Sequence, residues 1–194
     1  ISYKHLRFKI RPTNFKHTGL FPEQAAQWDF AIKAAAGKPL RVLNLFGYTG
    51  GATVALAKAG CMVTHVDASK PSVTWANENA KLNNIPFEGI RWMLDDALAF
   101  VRREVKRGAK YEGVIMDPPA FGHGTKGQVW KFAEHLPLLF SLIRELLSPE
   151  ARFVITNGYA TNSSALALKH ITTGSLGDLG GEITSGVATW PSMA

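Results

Sequence analysis

A glycine-rich turn and a carboxylate that follows it are the first features of this sequence with chemical meaning. The turn is NLFGYTGG, from Asn44 to Gly51, and it joins an apolar run to a helical pattern. Its glycines let the backbone approach a ligand closely, and the first amides of the helix can bind an anion. Asp67 closes the next apolar run, 20 residues after Gly47. An acid at that point of a βαβ unit accepts hydrogen bonds from the hydroxyls of a ribose.

The spacing of the glycines narrows the choice of anion. The phosphate loop of nucleoside triphosphatases needs a Lys-Ser/Thr pair after its second glycine, and none follows here. A dinucleotide-binding turn reads Gly-x-Gly-x-x-Gly, whereas Gly47 is followed by Gly50 and Gly51. A ligand with a single carboxylate needs fewer close glycines than a pyrophosphate does, so it fits this turn best.

Two adjacent acids, Asp95 and Asp96, follow the third apolar run in the stretch LDDALAF. An aspartate there either contacts a ligand or caps the next helix, since Asp is a favoured N-cap residue. Together with the glycine turn and Asp67, the pair indicates a site for an adenosine that carries an amino-acid carboxylate. S-adenosylmethionine is such a ligand.

A rigid stretch follows the fourth apolar run, with the sequence Asp117, Pro118, Pro119, Ala120 and Phe121. The prolines fix the backbone and remove two N–H donors, so we expect a turn with its carbonyl oxygens directed outward. A carboxylate beside such carbonyls can accept hydrogen bonds from an amine or a ring edge, and Phe121 can stack on a flat substrate. A purely structural turn, with Phe121 in the core, is the alternative.

The elements that must position these residues alternate between strand and helix. Strands are predicted at 5–10, 40–46, 61–66, 89–94, 111–116 and 151–156, and helices at 22–36, 52–59, 69–82, 95–107 and 128–147. DPPAFGHG is predicted to form a loop, and Pro137 is predicted to kink or break the last helix. One more strand is predicted at 182–190. This order predicts an α/β fold, a doubly wound, Rossmann-like and mostly parallel sheet with helices on both faces.

The composition excludes several classes of protein. Hydrophobic residues make up 46% and charged residues 19% of the 194 residues, which excludes disordered and low-complexity chains. No stretch approaches 18 apolar residues, so we predict no membrane span. The single cysteine, Cys61, and six scattered histidines predict no metal site. Few cysteines favour the cytoplasm.

Positive charge is concentrated near the N-terminus. The net charge is +7, and residues 1–22 contain five basic residues and no acidic one. We predict that residues 1–22 form a basic arm or strand that ends a missing upstream domain. Residues 23–194 are predicted to form a catalytic domain, truncated at its C-terminus. A basic arm suits a polyanion such as RNA, and ordinary solvated surface charge is the alternative.

Taken together, FGYTGG, Asp67, the DDA step, DPPAF and the upstream TGLFPEQAAQW resemble a known family. They look like the class I methyltransferases related to the large-subunit ribosomal RNA methyltransferases, over residues 15–164. The resemblance implies S-adenosylmethionine as cofactor and RNA, ribosomal RNA above all, as substrate. The cytosine-C5 branch needs a nucleophilic cysteine near the fifth strand. None stands in FVITNGYATNSS, which favours a nucleobase nitrogen as the acceptor.

The resemblance also implies which residues form the site. Cofactor-binding residues would be Phe21, Gln24, Asn44, Phe46, Gly47, Thr49, Gly50, Asp67, Ala68, Ser69, Asp96 and Ala97. Residues facing the methyl acceptor would be Asp117, Pro118, Pro119 and Phe121. Three alternatives stay open: a methyltransferase for a protein or small molecule, an NAD-dependent oxidoreductase, and a non-catalytic RNA-binding module.

Overall fold

Five parallel strands form the central sheet of the chain. The computed structural model describes residues 1–12, 18–125, 127–158 and 164–186. The elements in chain order are β1 (Ser2–Tyr3), β2 (Leu6–Arg7), α1 (Ala25–Ala35), β3 (Arg41–Leu45), α2 (Gly51–Lys58), β4 (Met62–Asp67), α3 (Lys70–Leu82), β5 (Ile90–Leu94), α4 (Ala97–Lys106), β6 (Gly113–Met116), β7 (Phe121–His123), β8 (Val129–Lys131), α5 (Phe132–Leu146), β9 (Phe153–Thr156) and α6 (Ala165–Leu176). Three-residue 3-10 turns cover Pro22–Gln24, Phe87–Gly89 and Gly177–Leu179. No helix of the described residues is long and apolar enough to cross a bilayer.

The strand order of the central sheet is β5-β4-β3-β6-β9. β4 pairs with one side of β3, and β5 pairs with β4. β6 pairs with the other side of β3, and β9 pairs with β6. The order therefore reverses between β3 and β6, where ligands bind in doubly wound sheets. The predicted doubly wound α/β fold is confirmed.

Both faces of this sheet are covered, which explains the continuous apolar runs of its strands. On one face Val42, Val63 and Ile115 belong to a core that includes residues of α1 and α2. On the other face Leu43 and Val66 belong to a core that includes residues of α4, α5 and α6. The carboxyl ends of the strands are left as the open edge of the sheet.

The segment after β6 differs from the prediction, because part of the expected loop pairs as a hairpin. β7 and β8 are antiparallel neighbours, so α5 begins at Phe132 and not at residue 128. The buried Trp130 donates its Nε1–H to the carbonyl of Pro119 at 2.7 Å, which holds β8 against the prolines. Of the kink or break predicted at Pro137, the break is wrong: α5 is continuous there, with Leu136 and Leu139 fully buried in the core on either side. The kink stays a prediction.

Two other predicted strands also differ. The strand expected at 5–10 is limited to Leu6–Arg7, which pairs with Ser2–Tyr3. Residues 182–186 form no strand, and the rest of the strand expected at 182–190 lies outside the described residues.

The N-terminal arm, residues 1–12, lies along α3 and is held there by side chains of that helix. The Arg7 N–H donates to Asn83 Oδ1 at 2.9 Å, and Asn83 Nδ2 donates back to the Arg7 carbonyl at 2.6 Å. One turn earlier, Asn79 Oδ1 accepts from the Lys9 N–H at 2.9 Å. Because positions four apart share a helix face, Asn79 and Asn83 can bond Lys9 and Arg7, two alternate residues of the arm.

Three basic side chains of the arm form ion pairs within the chain. Lys4 pairs with Asp29 at 2.6 Å, and both Lys9 and Arg11 pair with Glu78. All three basic side chains are about half exposed, and pairs at such sites contribute little to stability. Part of the charge that the sequence assigns to a free basic arm is therefore balanced by carboxylates of the folded domain.

We expect Asn83→Ala to loosen the arm at Arg7, because both hydrogen bonds between Asn83 and Arg7 are lost. The free energy of unfolding should fall by about 1–3 kcal/mol in urea denaturation. Hydrogen exchange at the Arg7 amide should accelerate in the same variant. Asn77→Ala on the same helix is the control, since the Asn77 side chain bonds only its own helix at Val73. Unchanged exchange at Arg7 would contradict this account of the arm.

Candidate active site

A pocket at the carboxyl ends of β3 and β6 brings together seven of the predicted site residues. Its lining residues are Leu20, Phe21, Gln24, Trp28, Asn44, Phe46, Gly47, Tyr48, Thr49, Gly51, Ala52, Ile115 and Asp117. The pocket lies where the strand order reverses. Gly50, Asp67, Ala68, Ser69, Asp96, Ala97, Pro118, Pro119 and Phe121 are not part of this lining.

The glycine turn is held in an unusual backbone conformation. Phe46 and Tyr48 have positive φ angles of 54° and 48°, and Gly50, the N-cap of α2, has φ 82°. A side chain in the left-handed region costs about 1–2 kcal/mol, and such residues cluster at functional sites. The turn is fixed from both sides, since Tyr48 N–H donates to Asp67 and the Thr49 hydroxyl donates to the Gly19 carbonyl.

Gly47 is required by packing and not by its backbone angle. A Cβ added there would lie 2.5 Å from Cε1 of His65, in the middle of β4. His65 is fully buried and fixed by a hydrogen bond of 2.9 Å between its Nδ1 and Thr53 Oγ1. Thr53 in turn accepts from Asn44 Nδ2 at 2.8 Å. Burial lowers the pKa of His65 to about 3, so the ring under the turn is neutral.

Asp67 connects the turn after β3 to the turn after β4. Its two oxygens accept hydrogen bonds from the Tyr48 and Ser69 N–H groups, each at 2.8 Å. Burial raises the pKa of Asp67, while these two N–H groups oppose that effect. Each carboxylate oxygen keeps a further lone pair that can accept from a ribose hydroxyl. Ser69 caps α3 by accepting a hydrogen bond from the Ser72 N–H. Ala68, between Asp67 and Ser69 in the chain, is half-buried.

The acids after β5 serve the local structure. Asp96 is the N-cap of α4 and accepts from the Ala99 N–H at 2.8 Å, while Asp95 pairs with Arg103. Asp96 and the neighbouring Ala97 are both buried. A Cβ on Gly124, in the loop of the β7–β8 hairpin, would lie 2.9 Å from Asp96 Oδ2. The hairpin loop therefore packs directly on Asp96, and the expected cofactor contacts of Asp96 and Ala97 stay predictions.

Asp117 follows β6 immediately and is fixed by amide side chains. Gln24 Nε2 donates to Asp117 Oδ2 at 2.7 Å. Gln27 donates to the Oδ1 of Asn157 at 2.5 Å, and Asn157 follows the neighbouring strand β9. Burial raises the pKa of Asp117, whereas the amides of Gln24 and Asn157 lower it. The carboxylate is thus held in one orientation at the edge of the pocket.

The prolines and Phe121 have different surroundings. Pro118 is buried and Pro119 is exposed. The Pro119 carbonyl, which we expected to be open to a ligand, instead accepts the Trp130 N–H. Phe121 is 55% exposed on β7, with its ring 5.1 Å from that of His123. The alternative that Phe121 belongs to the core is wrong, and its face is open to a planar group.

Sequence reasoning missed several residues of the pocket. Trp28 follows Gln24 by four positions, so the helical spacing of α1 could have indicated that both share a face. Tyr48 stands inside the glycine turn and could have been included with its neighbours. Thr53 and His65, which lie under the turn and not in the pocket lining, carry no such signal, because they are brought under Gly47 only by the packing of α2 on β4.

The doubly wound sheet and the pocket at its carboxyl edge agree with the resemblance to class I methyltransferases. A family model described as S-adenosylmethionine-dependent methyltransferase matches residues 1–163, and the chain belongs to this family. The predicted family is confirmed, and its description matches the predicted enzyme class and cofactor.

Individual relatives agree with this assignment. A solved S-adenosylmethionine-dependent methyltransferase of Agrobacterium tumefaciens is 42% identical, with a TM-score of 0.88 over 91% of this chain and 57% of that chain. The ribosomal RNA large subunit methyltransferase K/L of Shewanella sp. (strain MR-4) is 33% identical over 89% of this chain and 25% of that protein. Its counterpart in Shewanella sp. (strain ANA-3) is 35% identical over 78% of this chain and 21% of that protein. The chain thus spans a quarter or less of these K/L proteins.

We expect Gly47→Ala to destabilise the fold by about 1–3 kcal/mol, because the added methyl group meets the His65 ring. The loss should be smaller in a His65→Ala background, where the ring is absent, and a double-mutant cycle in urea measures that difference. Gly174→Ala in α6 is the control, since its Cβ meets no atom within 4 Å. Additive effects of the two substitutions would show that His65 is not what requires glycine.

Proposed function

We propose that this chain transfers a methyl group from S-adenosylmethionine to a nucleobase nitrogen in RNA, with ribosomal RNA as the favoured substrate. The observation that carries the proposal is that Asp117 shares a pocket with the glycine turn. An acceptor bound by Asp117 therefore lies next to the cofactor site. The names of the K/L relatives, which are ribosomal RNA methyltransferases, support RNA as the substrate class.

The residues of the pocket fit the cofactor. The first amides of α2 follow Gly50, an N-cap residue without a side chain, so they are suited to a carboxylate. Asp67 would bind the ribose hydroxyls, and the rings of Phe21 and Tyr48, with centroids 5.6 Å apart, would flank the site. When bound, S-adenosylmethionine supplies a methyl group on a sulfonium, which is a good leaving group.

The role of the protein is to align the acceptor. Asp117 would accept a hydrogen bond from the acceptor nitrogen and disperse the positive charge that develops on it. Gln24 would keep the Asp117 carboxylate in one orientation, and Phe121 would stack on the base. Alignment of this kind can account for about 7–11 kcal/mol of a barrier.

A nitrogen acceptor is favoured over carbon 5 of cytosine. The only cysteine is Cys61, which is buried just before β4, and burial raises the pKa of its thiol. A buried thiol with a raised pKa is a poor nucleophile.

The scarcity of cysteine, together with an RNA substrate, also supports a cytoplasmic location.

The proposal is tested by incubating the chain with methyl-labelled S-adenosylmethionine and separate pools of ribosomal RNA, transfer RNA and protein. We expect label in ribosomal RNA, and hydrolysis to nucleosides should release it as an N-methylated base. Boiled protein is the control for transfer without catalysis. Label found only in protein would overturn the RNA proposal and support the alternative of a protein methyltransferase.

Asp117→Asn should lower turnover by about 100-fold, since an amide orients the acceptor differently and disperses no charge. Binding of S-adenosylhomocysteine, measured by calorimetry, should persist. Full turnover in this variant would contradict the role of Asp117 in aligning the acceptor.

The same variant should be more stable at pH 7. The pKa of Asp117 is raised in the folded state, so the folded chain holds this proton to higher pH than the unfolded chain does. Stability is therefore lost as pH rises from the unfolded pKa through the folded one, and an amide removes that loss. We expect a higher unfolding temperature at pH 7 and no gain at pH 3; equal gains at both pH values would contradict the argument.

A further inference from the structure

We propose that the indole N–H of Trp28 binds the carboxylate of the methionine portion of S-adenosylmethionine, which makes Trp28 a positioning residue for the cofactor. This inference rests on the cofactor site that the proposed function also uses. Trp28 lies in the first turn of α1 and is only 2% exposed.

The first observation is that Trp28 Nε1 is buried and has no hydrogen-bond acceptor among the described residues. The three other tryptophans in the described part of the chain each donate to a backbone carbonyl. Their acceptors are Lys9 for Trp75 at 3.0 Å, Phe87 for Trp92 at 3.2 Å and Pro119 for Trp130 at 2.7 Å. An unpaired buried donor is unfavourable and calls for a partner; for Trp28 that partner is a ligand of the pocket.

The second observation is the position of the indole ring. A Cβ added to Gly51 would lie 2.6 Å from Cζ2, 3.1 Å from Cη2 and 3.4 Å from Cε2 of Trp28. The six-membered ring therefore packs on the first residue of α2, and Nε1 is bonded to Cε2 at one end of this contact. Gly51 and Ala52 both line the pocket with Trp28. The indole donor thus lies close to the first amides of a helix, a combination that suits an anion.

The third observation is the charge of the lining. Of the described residues that line the pocket, none is lysine or arginine, and Asp117 is the one carboxylate. A pocket whose donors are neutral N–H groups favours a single carboxylate over a doubly charged phosphate. The two oxygens of a carboxylate can accept from the indole and from the helix amides at once.

The N-terminal arm fixes the indole from behind. The ring of Phe8 lies 5.5 Å from that of Trp28, and Tyr3 meets it edge-on at 6.0 Å. Both rings belong to the arm that α3 holds in place. Trp28 is thus oriented before the cofactor enters, and the donor needs no rearrangement to bind.

Calorimetry on Trp28→Phe with two ligands tests this inference. S-adenosylhomocysteine carries the carboxylate, whereas 5′-methylthioadenosine keeps the adenosine and the sulfur without it. We expect the variant to bind S-adenosylhomocysteine about tenfold more weakly and to bind methylthioadenosine within twofold of the unmodified chain. Trp92→Phe is the matched control, because its indole bonds Phe87 at an exposed site; both affinities should be unchanged. Equal loss for both ligands, or no loss, would overturn the inference.

A second measurement does not depend on the folding of the variant. In ¹⁵N-labelled unmodified chain, the indole resonance of Trp28 should move downfield with S-adenosylhomocysteine and stay in place with methylthioadenosine. A resonance that responds to neither ligand, although S-adenosylhomocysteine binds, would overturn the role of Trp28 alone. Failure of the unmodified chain to bind S-adenosylhomocysteine would count against the proposed function as well.

Discussion

The register of the parallel strands at their carboxyl ends is the constraint on which the site depends. Backbone hydrogen bonds between neighbouring strands continue one or two residues past the strand ends. Gly47 N–H bonds the Val66 carbonyl at 3.0 Å, and Asp95 N–H bonds the Asp67 carbonyl at 3.0 Å. On the other side of β3, Asp117 N–H lies 3.4 Å from the Leu45 carbonyl, and Asn157 N–H bonds Met116 at 3.0 Å. The first or second residue of each functional loop is thereby fixed to the neighbouring strand, so the loops are rigid where they leave the sheet.

The strand ends could be predicted because their signal is local. Four of the five apolar runs of the central sheet are followed by a glycine or an acid, and the fifth by Asn157. The order of runs and helical patterns implies the parallel register. The β7–β8 hairpin could not be predicted, since two three-residue strands carry little pattern and their position depends on the bond from Trp130 to Pro119. The ion pairs of the arm were equally hidden, because Asp29 and Glu78 lie on helices that meet the arm only in the folded chain.

Asp96 illustrates how one residue type satisfies two expectations. An aspartate at the start of a helix caps it whatever else it does, and the structure shows the cap bond to Ala99. Sequence pattern cannot separate capping from ligand contact, because both place an aspartate at the end of β5 with its side chain near the crevice. Asp117 is different: it precedes two prolines and a β-hairpin, so no helix follows for it to cap, and its bond to Gln24 joins it to the pocket.

Asn79 links the arm to the cofactor turn through one side chain. Its Oδ1 accepts from Lys9 of the arm, and its Nδ2 donates to the Thr49 carbonyl at 2.9 Å. The arm and the turn are therefore bonded to the same side chain, so a change that loosens the arm also weakens the ordering of the turn. The ion pairs of Lys9 and Arg11 with Glu78 are compatible with the RNA substrate that we propose. Exposed pairs are worth only about 0.2–1 kcal/mol, so a phosphate can replace Glu78 while the backbone bonds of the arm to α3 stay intact. Such an exchange leaves undisturbed the indole that the arm holds against the pocket.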